Sequence, residues 1–126
     1  MKSYYLDNLY LNAALRGFAF VPAPSIYVAL YTVTPSASGV GIEVSGGDYV
    51  RRPVTFSEPV GGQVRSDVEV LFPVATTLWG DIEGLALVDE IAGGNVLYFA
   101  SFGFPRTVDV SDQVKFPVAA LVCQET

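Results

Sequence analysis

Residues 26–33 read IYVALYTV. The run is apolar and rich in β-branched and aromatic side chains from end to end, which predicts a strand covered on both of its faces. Just upstream, FAFVPAPS (18–25) carries Pro22 and Pro24 two positions apart. Proline denies the chain a helix and holds its neighbour extended, so 18–25 reads as a linker. Before it, SYYLDNLYLNAALRG predicts a helix within residues 1–17. Ser3 is a fair N-cap, Asp7 suits the positive end of the helix dipole, Arg16 suits the last turn, and Gly17 follows as a C′ residue. Leu6, Leu9, Tyr10 and Ala13 form one stripe at helical spacing. Leu11 and Leu15 fall off that stripe. A helix apolar on more than one side is normally sandwiched. The expectation is one face against the body of the protein and one against a neighbouring subunit.

Downstream of residue 33 the signals remain β. TPSASGVG (34–41) is a loop by composition. YVRRPVTF (49–56) alternates, with Pro53 confining it to an edge or a bulge. VRSDVEVLF (64–72) alternates cleanly: Val64, Val68, Val70 and Phe72 share one face, and Arg65, Asp67 and Glu69 the other. DIEGLALVD (81–89) and NVLYFASFG (95–103), joined through EIAGGN, predict a hairpin with a loop longer than two residues. QVKFPVAALVC (113–123) places Val114, Phe116, Val118, Ala120 and Val122 on one side. Together these predict a short N-terminal helix, the linker 18–25, and a single mainly β body over 26–126. The architecture is an antiparallel β-sandwich or jelly-roll-like barrel of about six or seven strands.

The 126 residues suit one domain. Only 16% are charged, against roughly 25% in typical soluble domains. So little charge fits a compact β-protein with uncharged loops or, the sharper reading, an exterior that lies partly against other chains. The net charge of −6, with 7 basic residues scattered along the chain, argues against nucleic acid as a partner, because phosphate neutralisation needs a basic face. The same sign disfavours an anionic membrane surface. No leader with a continuous apolar core and no membrane-spanning run is expected. Cys123 is the only cysteine, so no intrachain disulfide forms, in keeping with assembly in a reducing cytoplasm. Histidine is absent, which removes Ser-His-Asp and Cys-His catalysis and His-containing zinc sites.

EVSGGDYVRRPVTF (43–56) tests the remaining chemistry. A phosphate loop requires lysine and a hydroxyl residue after its glycines, whereas Gly46-Gly47 is followed by Asp48 and Tyr49. The glycines instead make a turn with positive φ that feeds a strand. Alternation puts Val50, Arg52, Val54 and Phe56 on one face and Tyr49, Arg51 and Thr55 on the other. One of the adjacent arginines thus faces the apolar side and needs an acid: Glu43, Asp48, Glu58 or one from an adjacent subunit. Alternatively, a bulge at Pro53 sends both to solvent.

These segments also resemble a known group. VALYTVTP, IEVSGGDYVRRPVTF, VEVLFPVATTLWGDIEGLALVD, GGNVLYFASF and QVKFPVAALV, in that order, are similar to short bacteriophage virion proteins labelled tail fibre or tail-associated proteins. The pattern is ALYTxxP, EVSGGxYxRxxVTF, FPxAxxxWG and GGNxLxF. YLDNLYLNAALRG resembles that family's leading helix. The resemblance spans nearly the whole chain and implies a non-enzymatic virion component. It carries over no catalytic residues and no cofactor.

Other constellations read as structural. Tyr27, Tyr31, Tyr98 and Phe99 sit in apolar runs, and Trp79 reads as a packing anchor more than a glycan contact. Asp81 with Glu83, and Asp89 with Glu90, lack a companion cleft signal for glycoside hydrolysis. Asp109, Ser111 and Asp112 fit a turn better than a calcium loop. Cys123 reads as a quiet, half-buried thiol.

The resulting expectation is a virion structural protein, tail-associated or fibre-type, made in the host bacterial cytoplasm. Its partners are copies of itself, with a trimer favoured, and other virion proteins. A capsid decoration protein is the alternative, and a host-surface carbohydrate-binding module a further one. Expected assembly contacts are Tyr5, Leu6, Leu9, Leu11, Leu15, Arg51 and Arg52.

Overall fold

A computed structural model describes residues 1–124. The last two positions of the expected body, 125 and 126, lie outside the described residues. Helix α1 spans Tyr4–Arg16 and precedes nine strands among the described residues: β1 Ile26–Val33, β2 Ile42–Glu43, β3 Arg52–Val54, β4 Gln63–Arg65, β5 Val70–Leu71, β6 Gly80–Val88, β7 Val96–Val108, β8 Lys115–Phe116 and β9 Val122–Gln124. All pairings between these strands are antiparallel. The fold is a mainly β sandwich with one short leading helix.

The main sheet runs β2-β1-β6-β7, with β3 also on β1. One edge of β1 is shared: β3 covers Ile26–Val28, and β2 covers Tyr31 and Val33. Its other edge pairs with β6 from Tyr27↔Val88 to Tyr31↔Gly84. The middle of IYVALYTV is therefore enclosed on every side. Val28 and Leu30 enter one core with Ile82, Leu87, Phe72 and Trp79. Ala29 and Tyr31 enter a second, on the opposite face of the sheet, with Ala86, Val88 and Phe99. This is why the sequence shows no polar alternation there.

The hairpin of β6 and β7 forms as the sequence predicts. Its turn is braced by Asp89, whose Oδ1 accepts from the Asn95 amide at 2.7 Å. Strand β7 runs on to Val108, beyond the expected end at 103, because Gly80–Ile82 pair with Arg106–Val108 past a register shift.

The opposing layer is two small ribbons, β4 with β9 and β5 with β8. Here the expected long strands are broken. VRSDVEVLF yields β4 and β5 separated by a crossing at Ser66. Ser66 is buried; its amide donates to Leu121 O, its carbonyl accepts from Ala119, and its Oγ accepts from the Leu121 amide. QVKFPVAALVC likewise yields β8 and β9, because Pro117 and a left-handed Ala119 (φ 67°) turn the chain between them. Its inward set changes as a result. Leu121 is buried and Cys123 half-buried, while Val118 and Val122 are exposed.

Helix α1 has the expected caps. Ser3 Oγ accepts from the Leu6 amide at 3.2 Å, and Gly17 is left-handed at φ 71°. The residues before it are extended along the outer edge of β7. The Met1 amine donates to Phe99 O at 2.9 Å. Phe99 N–H returns a bond to Met1 O, and Ser3 N–H donates to Leu97 O, both at 2.9 Å. Residues 17–25 hold no helix or strand. Among the described residues no helix is long and apolar enough to cross a membrane.

Candidate assembly surface

The leading arm meets the body through a narrow seam. Leu6 is its one fully buried apolar side chain, 3% exposed. Leu9 and Tyr10 are half-buried and line a groove of about 520 Å³ with Phe20, Val64, Tyr98 and Cys123. Tyr10 is the hinge pin of this seam. Its ring lies 5.5 Å from that of Phe20, its hydroxyl is 3.4 Å from that of Tyr98, and Lys2 Nζ sits 5.0 Å over its face. Lys2 also pairs with Asp7 at 3.3 Å. Burial pushes the Cys123 thiol up from its ordinary pKa, so the thiolate that would make it reactive is disfavoured.

The outer side of the arm is apolar and open. Leu11 is 54% exposed, Leu15 77%, Phe18 53% and Val21 79%. Arg16 lies over the Phe18 ring at 4.5 Å and is held by Asn12 Oδ1 at 3.1 Å. Arg16 is thus a charged group on a patch that is otherwise apolar.

A second constellation sits around EVSGGDYVRRPVTF. Arg51 is buried, 8% exposed. Its Nε donates to Glu43 Oε2 and its Nη2 to Glu43 Oε1, each at 2.8 Å, a bidentate charge-assisted pair. Nη1 donates to the carbonyls of Glu90 at 2.9 Å and Gly93 at 2.7 Å. Tyr49 OH donates to Glu43 Oε2 at 2.6 Å and accepts from the Leu30 amide at 3.0 Å. The Glu43 bond holds the guanidinium pKa above its ordinary value, against the effect of burial. Burial, and then the bond to Glu43, raise the Tyr49 phenol far above the usual tyrosine range. With both groups locked in one protonation state and every polar contact made inside the chain, this cluster is a clasp. It ties β2 and the approach to β3 to the β6–β7 turn.

The expected assembly residues therefore divide. Tyr5, Leu11, Leu15 and Arg52 are exposed, and Leu9 is half-buried in the groove. Leu6 is buried against the body and Arg51 is paired with Glu43. The parity reading set Arg52 beside Val54, yet Arg52 is exposed and Val54 buried. Both lie in β3, so alternation still gives them one face; Arg52, at the first position of the strand, is exposed all the same, and Arg51, just ahead of the strand, is buried on Glu43. The register across Pro53 is unbroken, which rules out the alternative of a bulge there, and β3 does lie at an edge.

Phe18 and Val21 went unremarked as surface residues. Their apolar character in a proline linker, with no strand to bury them, was the available signal. Trp79 is a packing anchor: it is buried, its Nε1 donates to Gly47 O at 2.9 Å, and its ring meets Tyr49 edge-on at 5.5 Å. The acids considered for hydrolysis or for calcium brace their own chain. Asp81 accepts from Thr107 Oγ1 at 2.6 Å, Glu83 from the Thr34 amide at 3.2 Å, and Asp112 from the Asp109 amide at 2.9 Å.

No curated protein matches the chain. A family model described as podophage GP4 fiber I protein gp80 matches residues 1–124. The match takes in the helix, the proline linker and every strand described above, so the chain belongs to the podophage GP4 fiber I protein gp80 family.

Proposed function

We propose that this protein is a tail-associated fibre subunit whose work is mechanical: it is made in the host cytoplasm and locks to copies of itself and to neighbouring virion proteins. The observation that carries the reading is the exposure of Leu11, Leu15 and Phe18 at the end of the arm, with Val21 open at the mouth of the groove. Large apolar side chains left open side by side are a contact surface or an aggregation liability. In a fibre-family chain with so little charge, contact is the economical reading. A homo-oligomer of closed cyclic symmetry, a trimer, fits the geometry of a fibre.

The test is incorporation into particles. L11D/L15D places two charges on this surface without touching the seam at Leu6 and Tyr10. The variant is expected to keep the β-sheet circular dichroism of the parent and to be lost from purified tails. A variant incorporated as fully as the parent would remove this surface from the assembly.

A further inference from the structure

We infer that the leading arm, residues 1–17, is exchanged between copies of this chain: the arm of one subunit completes the β7 edge and fills the groove of the next. The inference deepens the assembly reading above and rests on it.

The occupant of the site is visible in the molecule. The β7 edge at Leu97–Phe99 accepts an extended segment, residues 1–3, by backbone hydrogen bonds. The Tyr4 amide adds a bond to Ala37 O at 2.8 Å. Leu6 plugs the surface beneath, and Tyr10 meets Tyr98. Each of these contacts is between the arm and the body alone. None depends on both belonging to the same chain, so an arm from a second copy makes the same set; the Tyr10–Phe20 ring contact, which joins arm to hinge, lies outside that set.

The connection decides which body the arm reaches. Residues 17–25 contain no helix or strand, and such a stretch spans roughly 30 Å when extended. Pro22 and Pro24 hold it toward extended conformations. A stiff hinge opposes doubling back and thereby favours exchange. A second observation points the same way. In an exchanged assembly the hinge segment passes from its own body to the next, and so meets a neighbouring subunit that the closed chain lacks. The hinge and the arm end beside it carry Leu15, Phe18 and Val21, which the closed chain leaves at 77%, 53% and 79% exposure. The surface that exchange would newly cover is the surface now open to water.

The test uses the full chain in two variants. Lys2 and Tyr98 face each other across the arm–β7 bridge. The bonds that flank them, Phe99 to Met1 and Ser3 to Leu97, mark a non-hydrogen-bonded pair, whose Cα atoms stand about 4.5 Å apart, inside the range a disulfide accepts. K2C/Y98C/C123S is oxidised with oxidised glutathione and run on a denaturing, non-reducing gel. Exchange gives covalent oligomers that collapse to monomer on reduction. A fully oxidised chain that runs as a monomer overturns it. The second variant leaves arm and body intact: a flexible Gly/Ser stretch of about eight residues inserted between Ala19 and Phe20 relieves the stiff hinge. It is expected to lose the oligomer in sedimentation. An unchanged oligomer, or a parent that is monomeric at high concentration, equally overturns the exchange. Failure here is distinct from failure of the functional reading. A tail-incorporated protein with only intrachain disulfides sinks the exchange alone, and an exchanged oligomer absent from tails sinks the function alone.

Discussion

Replacing Arg51 by alanine and, separately, Arg52 by alanine probes the clasp with two adjacent residues of identical chemistry. Arg51→Ala removes both bonds to Glu43 and both bonds to the Glu90 and Gly93 carbonyls. Breaking a buried ion pair by deleting one partner costs about 3–5 kcal/mol, because the survivor is left charged and uncompensated. Two features place this case at the lower end. Glu43 keeps the Tyr49 hydroxyl as a donor and is 25% exposed, so water reaches it. The two carbonyls belong to an exposed turn and can also find water. The expected loss is about 3 kcal/mol, which at a urea slope of about 2 kcal/mol per M is a midpoint lowered by about 1.5 M. Arg52 is exposed, and its replacement is expected to stay within about 0.5 kcal/mol. The single tryptophan, buried at the other end of the Tyr49 ring contact, supplies the fluorescence signal for urea titration. Equal midpoints for the two variants would refute the argument that Arg51, and not its neighbour, is the inward arginine.

The same reasoning yields further expectations. Gly47→Ala puts a Cβ 2.6 Å from Trp79 Nε1 and from Thr77 Oγ1, and is expected to cost about 1–3 kcal/mol from overpacking beyond the left-handed backbone penalty. Gly46→Ala meets nothing within 4 Å and should cost only that penalty, about 1–2 kcal/mol; urea midpoints compare the two. Cys123, Tyr31, Tyr49 and Arg51 all have raised pKa values, so the folded chain holds protons that the unfolded chain releases. The stability these groups contribute is therefore expected to be full below the ordinary cysteine value of 9.0 and to fall as pH rises past it and past the tyrosine value of 10.0, by up to about 1.4 kcal/mol per pH unit for each group released. Tyr49→Phe should flatten that alkaline decline in urea midpoints recorded across the range. The L11D/L15D and K2C/Y98C variants extend the tests to assembly.

Legibility followed the range of the interactions that set each feature. The limits of β1, the two caps of α1 and the β6–β7 hairpin were readable, because periodicity, a serine, a glycine and an acidic turn act within a few residues of the backbone they shape. The need for an acid beside an inward arginine was readable too, and Glu43 was among the candidates. Which arginine turns inward was not, because Arg51 lies ahead of β3 and is drawn in by Glu43 and by the Glu90 and Gly93 carbonyls of a distant turn.

By itself, then, the sequence determined a mainly β body behind a capped helix and a proline hinge, together with a charge supply too small to cover it. Tertiary structure decided where VRSDVEVLF and QVKFPVAALVC change partners. Ser66 is tied to Leu121 across 55 positions, and that bond, with the turn at Pro117 and Ala119, resets which side chains face the core. It also decided that the arm's first residues lie on the β7 edge, since backbone hydrogen bonding carries no side-chain signature from which the pairing could be read.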